Sequence, residues 1–136
     1  MKVLGVDPGT RKIGFAVVDA DGQTVDLGIE AIEGFAQRAR DLIKRWEFTA
    51  VAVGTGTNAH ALMGDLAGLG VPVISVDERE TTLRARSLYF ADHPPRGWRR
   101  LIPLGMQLPP RPIDDYAAVL IARRFLADGG NPGFRV

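Results

Sequence analysis

Near residue 31 the hydrophobic period of this chain changes, and that change restricts the fold more than any other feature. Before it lie three short apolar segments: Val3–Val6, Ile13–Val18 and a weaker one from Thr24 to Glu30. Turn residues separate them, so they predict an antiparallel meander. After it, Phe35, Ala39, Leu42, Ile43 and Trp46 recur at three-to-four spacing, which predicts an amphipathic helix with Gln37, Arg38, Asp41 and Lys44 outside. A strand over Ala50–Val53 follows, then a helix from about Asn58 to Leu69 stopped by Gly70, then a strand over Val71–Val76. Another helix carries Leu83, Leu88 and Tyr89, and a last one runs from Asp114 to about Asp128 with Leu120, Ile121 and Phe125 inward. Right-handed crossovers make the first, fourth and fifth strands parallel neighbours. The expected fold is therefore α/β, a five-stranded mixed sheet of order 3-2-1-4-5 flanked by helices.

With 136 residues the chain suits one domain, expected over 1–130 with residues 131–136 as a tail. No apolar run approaches the roughly 18 residues of a membrane span. Cysteine is absent, which removes disulfides, thiol catalysis and Cys-based zinc sites and fits a cytoplasmic location. His60 and His93 lie far apart, without metal-ligand spacing. The net charge is only +1, but the second half is rich in arginine, so a cationic face remains open.

The acids are the informative residues. Asp7 ends the first strand, Asp77 and Glu78 end the fifth, and Asp114 and Asp115 open the last helix. Ligands of parallel α/β sheets sit beyond the strand C-termini, so three separate segments deliver carboxylates to one rim. With the fourth strand between them, the first and fifth are about 10 Å apart. The fourth ends in Gly54-Thr-Gly56, which leaves the gap unobstructed. Oxygen ligands without Cys or paired His favour Mg²⁺ or Mn²⁺. Two such ions about 3.5–4 Å apart suit phosphodiester hydrolysis. Each acid also has a structural reading: Asp7 as a turn former before Pro-Gly, the others as caps or first-turn acids of the helices they precede. Their convergence on one rim favours the catalytic reading.

The stretch PPRGWRRLIPLGMQLPPRP is a long Pro- and Arg-rich connection, and loops of this length are commonly functional. Arg96, Arg99, Arg100 and Arg111 are candidates for phosphate contacts and Trp98 for base stacking. Arg11 and Lys12, beside Asp7, and Arg79, beside Glu78, join them as nucleic-acid-binding candidates. The glycines of DPGT and GTGT match neither dinucleotide nor P-loop spacing.

Taken together, VLGVDPGTRKIGFAVVD, VISVDERETTLRA and PIDDYAAVLIARRFL resemble the YqgF/RuvX family of RuvC-like Holliday-junction resolvase homologues. The resemblance runs over nearly the whole chain. It implies an RNase H-like fold, a metal-dependent nuclease centre, often a homodimer, and activity on branched DNA or in pre-16S ribosomal RNA processing. By position it makes Asp7, Glu78 and Asp114 the catalytic metal ligands, with Asp115 standing where the family often has a small residue. Two departures are visible: Gly54-Thr-Gly56 replaces a usual Gly-x-Pro, and the fourth strand lacks the acid of RuvC-type resolvases. Two rivals stand beside the nuclease. One is a module that only binds RNA or ribosome precursors; the other is an ATPase of the actin/hexokinase type, whose clamp needs two domains of this kind.

Overall fold

The computed structural model describes residues 2–56, 59–77, 81–94, 113–127 and 134–135. Within β1 (Lys2–Asp7) the side chains alternate as the pleat requires. Leu4 and Val6 enter one core layer, whereas Val3 enters another on the opposite side of the sheet. The same split runs through β2 (Lys12–Asp19), where Ile13, Phe15 and Val17 oppose Ala16 and Val18. It recurs in β4 (Phe48–Gly54), where Val51 and Val53 oppose Ala50 and Ala52. A central strand buried on both faces needs apolar or small residues along its middle, and these three have them, with polar residues only toward their ends.

β1 pairs antiparallel with β2, and β2 with β3 (Thr24–Ala31), forming the predicted meander. The β2–β3 turn is held by Asp19, whose Oδ1 accepts from the backbone N–H of Asp21 at 2.9 Å and of Gln23 at 3.0 Å. Gly22 takes the left-handed conformation there, φ 84°. β1 then pairs parallel with β4, and β4 with β5 (Val73–Val76). The five strands thus occur in the expected order. A two-residue strand, β6 (Phe134–Arg135), adds an antiparallel edge beside β5, so the whole sheet reads β3-β2-β1-β4-β5-β6.

The larger side chains lie on one face, covered by α1 (Ile32–Arg45) and α2 (Ala59–Leu66). α1 buries Phe35, Ala39 and Leu42, one stripe of a helix, and ends where Trp46 turns extended and donates its N–H to the Leu42 carbonyl at 3.0 Å. Each large side chain fully buried here is worth about 1.5–3 kcal/mol. The predicted second helix is shorter than the sequence reading: after Leu66 it tightens into a 3₁₀ turn over Ala67–Leu69, and Gly70 closes it at φ 80°. β5 likewise begins two residues late, because Pro72 has no N–H to donate; its carbonyl still accepts from Val51 at 2.8 Å.

The other face is built from small residues. Gly5, Gly14, Ala16, Ala50 and Ala52 receive α4 (Asp114–Ala127), which presents Ala118 and Ala122 to them. A Cβ placed on Gly5 would run into the Ala118 carbonyl oxygen and lie 2.9 Å from the Ala122 Cβ. α3 (Thr81–Asp92) covers α4 from outside through Ala85, Tyr89 and Phe90, which meet Tyr116 and Ala117. α4 is consequently buried on two sides.

Gly5→Ala is expected to destabilise the protein by about 1–3 kcal/mol, since the helix backbone must move to admit one methyl group. Gly64, in α2, has nothing within 4 Å of the equivalent position, so Gly64→Ala is expected to stabilise by about 0.5–1 kcal/mol. Urea midpoints at unchanged slope check both.

Candidate active site

Asp7 is the last residue of β1, and its Cα partner across the β1–β2 ladder is Gly14. Directly opposed residues in an antiparallel pair stand about 4.5–5.5 Å apart and point to the same face. Gly14 also lies against the start of α4: a Cβ built on it would collide with the carbonyl carbon and oxygen of Asp114 and come within 2.7 Å of the Asp115 nitrogen. Asp7 and the first turn of α4 are therefore neighbours, with Gly14 as the shared floor. On the other side of Asp7, β4 continues from Val53, the partner of Val6, to buried Gly54, itself paired with Val76. A carboxylate flanked on both sides by residues without side chains faces α4.

The helix delivers two acids to that place. Ile113 accepts the N–H of Ala117 at 3.1 Å, which makes it the cap residue, but its side chain has no oxygen to offer the free N–H groups. Asp115 supplies one, accepting from the Tyr116 N–H at 3.0 Å. Asp115 is only 3% exposed, the one buried charged side chain among the described residues, whereas Asp114 is half-buried. Burial pushes the Asp114 carboxyl above its ordinary value, the neighbouring Asp115 charge adds to that, and Lys12 pulls the other way. Lys12 stands two residues before Gly14 on β2, hence on the α4 side of the strand.

The sequence-derived site residues fall into two groups. Asp7 stands opposite Gly14, on which the backbone of Asp114 and Asp115 packs, and Lys12 acts on Asp114; Arg11 lies in the same turn, exposed, with its carbonyl accepting from the Ile32 N–H at 3.0 Å. Glu78, Arg79, Arg96, Trp98, Arg99, Arg100 and Arg111 lie outside the described residues. Among the described residues no group of three or more His, Cys, Asp or Glu stands ready to hold a metal ion. The acids placed around Gly14 are oxygen donors, the type that a hard divalent cation takes. Two features were not anticipated from the sequence. Asp115 is enclosed, and Gly14 is the point where α4 meets the strand beside Asp7. A glycine in the middle of an apolar strand was the available signal, since it marks the close approach of another backbone.

Several curated relatives match nearly the whole chain. A protein of Pelotomaculum thermopropionicum described as "Putative pre-16S rRNA nuclease" is 34% identical over 149 residues, covering 97% of this chain and 90% of its own. Proteins so described from Azotobacter vinelandii and a Geobacillus species are 32% and 30% identical, each spanning 93% of this chain and respectively 93% and 97% of their own. No protein-family model matches the chain. Among solved structures, Thermus thermophilus RuvC matches over the full length of both chains with a TM-score of 0.63 at 21% identity. The same protein in complex with a Holliday junction substrate matches equally well at 20%. That likeness is one of fold: with the strand order it makes this an RNase H-like domain architecture.

The Asp114 shift has a stability consequence. A carboxyl raised above its ordinary 3.8 favours folding while protonated, and that contribution is lost as pH climbs from below 3.8 through the raised value. At neutral pH the ionised group opposes folding of the metal-free chain. Asp114→Asn is expected to raise Tm at pH 7 in chelator by about 1–2 °C, as befits a half-exposed, water-screened charge. The gain should fade below pH 3.8, which thermal melts across pH would follow.

Proposed function

The chain belongs to the YqgF/RuvX family of pre-16S rRNA nuclease relatives, and from that premise we propose that it is a divalent-metal-dependent nuclease that hydrolyses phosphodiester bonds of structured precursor ribosomal RNA. The observation that supports this most is the placement of Asp7 opposite Gly14, against which the backbone of Asp114 and Asp115 packs. Asp114 and Asp115, one of them enclosed, repel each other at neutral pH, and Asp7 ends the strand beside them although it lies more than a hundred residues away in the chain. Such crowding is an unfavourable way to build a core and a favourable way to bind cations.

In this reading Asp7, Glu78 and Asp114 hold Mg²⁺ or Mn²⁺, with Asp115 assisting from behind. Bound there, a pair of divalent ions supplies an activated water and charge stabilisation for the leaving oxygen. The chain's own contribution is position. β1 fixes Asp7 at a strand end, buried α4 fixes Asp114, and Gly14 lets the first turn of α4 approach the strand beside Asp7. Lys12, whose charge already acts on Asp114, is placed to draw a phosphate toward the carboxylates. Arg11, Arg79, Arg96, Arg99, Arg100 and Arg111 are proposed to hold backbone phosphates further along the strand, and Trp98 to stack on an unpaired base.

Asp7→Asn, Glu78→Gln and Asp114→Asn are each expected to reduce Mg²⁺- or Mn²⁺-dependent cleavage of a structured precursor-rRNA fragment to background while the circular-dichroism spectrum is retained. Cleavage that persists in the Asp7 variant would remove Asp7 from the catalytic set, whereas a wild type that binds the RNA and cleaves nothing would be an RNA-binding module. The double variant Arg99→Ala with Arg100→Ala is expected to weaken binding and flatten the slope of log affinity against log salt by about 1–2. Four-way DNA junctions assayed alongside the RNA test the preference for RNA.

A further inference from the structure

Where the end of α3 meets the start of α4, a polar contact is set among aromatic rings. Tyr116, 4% exposed, donates its phenol O–H to Oδ2 of Asp92 at 3.0 Å, and the phenol oxygen also stands 3.4 Å from Nε2 of His93. Tyr89 packs edge-on against the Tyr116 ring, centroids 5.5 Å apart, and lies tilted against the His93 ring at 4.7 Å. Asp92 is the last residue of α3, and His93 follows it with its N–H on the Tyr89 carbonyl at 2.8 Å. Both are exposed. An acid at a helix C-terminus faces the negative end of the macrodipole, so Asp92 is poorly placed for α3 itself. Its use is to α4, where it accepts from a buried phenol.

Tyr116 also belongs to the site. It follows Asp114 and Asp115 in the first turn of α4, and its backbone N–H is the group that donates to Oδ1 of Asp115 at 3.0 Å. One residue thus holds the enclosed carboxylate with its main chain and α3 with its side chain. The need for such an anchor follows from the floor. Gly5 and Gly14 set how closely α4 approaches the sheet. A surface of glycine and alanine interlocks weakly, however, and resists rotation of a helix about its axis less than large ridges set into grooves do. A carboxylate carried about 5–6 Å from the axis moves about 1 Å when its helix turns by about 10°. Misplacement by about 1 Å can cost about a hundredfold in rate. The Tyr116–Asp92 bond, on the α3 side of α4, opposes that rotation.

We infer that Tyr116 is a positioning residue of the site: through its bond to Asp92 it holds the first turn of α4 in the rotational setting that presents Asp114 and Asp115 to a cation. This inference rests on the nuclease reading above for the cation at these acids. It gives the end of α3 a role in the site without making it a ligand.

The test measures Mn²⁺ binding to the full-length protein without RNA, by the electron paramagnetic resonance of free Mn²⁺. Beside it stand kcat and KM for cleavage of the precursor-rRNA fragment, and Tm in chelator. Tyr116→Phe, which keeps the ring in its aromatic surroundings, is expected to weaken Mn²⁺ binding and lower kcat by about tenfold each, with KM for RNA unchanged. Asp92→Leu should do the same, and the double variant should be no worse than either single one. Asp92→Asn, which retains an acceptor oxygen, should bind Mn²⁺ as the wild type does. Unchanged Mn²⁺ affinity in Tyr116→Phe or in Asp92→Leu, whatever the Tm, would make the bond purely structural and overturn the inference. Losses that add up in the double variant would overturn it too. A wild type whose Mn²⁺ binding depends on both residues but which cleaves no RNA would keep the positioning role and remove the nuclease. Metal-dependent cleavage indifferent to Tyr116→Phe would do the reverse, and a wild type that binds no Mn²⁺ would remove both.

Discussion

The contact on which the rest depends is backbone against backbone: α4 lies directly on the glycines of β1 and β2. Gly5 meets the Ala118 carbonyl and Gly14 meets the Asp114 carbonyl, with no room for a methyl group at either point. The sheet is correspondingly lopsided. Leu4, Val6, Phe15 and Val53 fill the side toward α1 and α2, while Ala16, Ala50 and Ala52 pave the side toward α4. A larger residue under α4 would lift the helix, and its first turn would leave the end of β1. Small residues give up some buried apolar area here, and in exchange the helix N-terminus reaches the strand that carries Asp7.

That arrangement concentrates negative charge where the protein is least able to solvate it. Asp115 is enclosed, Asp114 is half-buried beside it, and Asp7 stands across Gly14. The helix N-terminus offsets part of the repulsion, by roughly 0.3–1 kcal/mol per favourably placed acid, and Lys12 offsets another part. The Asp114 carboxyl is still pushed upward, first by burial and then by the Asp115 charge. Functional sites commonly trade stability in this way. A bound cation would remove the imbalance, whereas an isolated fold has no use for it.

How much of this was legible in the sequence follows from which signals are local. Strand alternation and the helix period of α1 are local, and the crossover rule turned them into the right sheet order without any knowledge of contacts. Asp7 was legible as an oddity: an acid at the tip of an apolar strand. The enclosure of Asp115 was not, because it arises from α4 being covered on two sides, by the sheet and by Tyr89 and Phe90 of α3. A helix buried on two sides has a weak one-sided pattern, so its sequence does not announce which acid turns inward. β6 was illegible for a different reason: two residues are too short to carry a period, and only the partner strand defines them. The arginine-rich connection stays where the sequence reading put it, as a proposal.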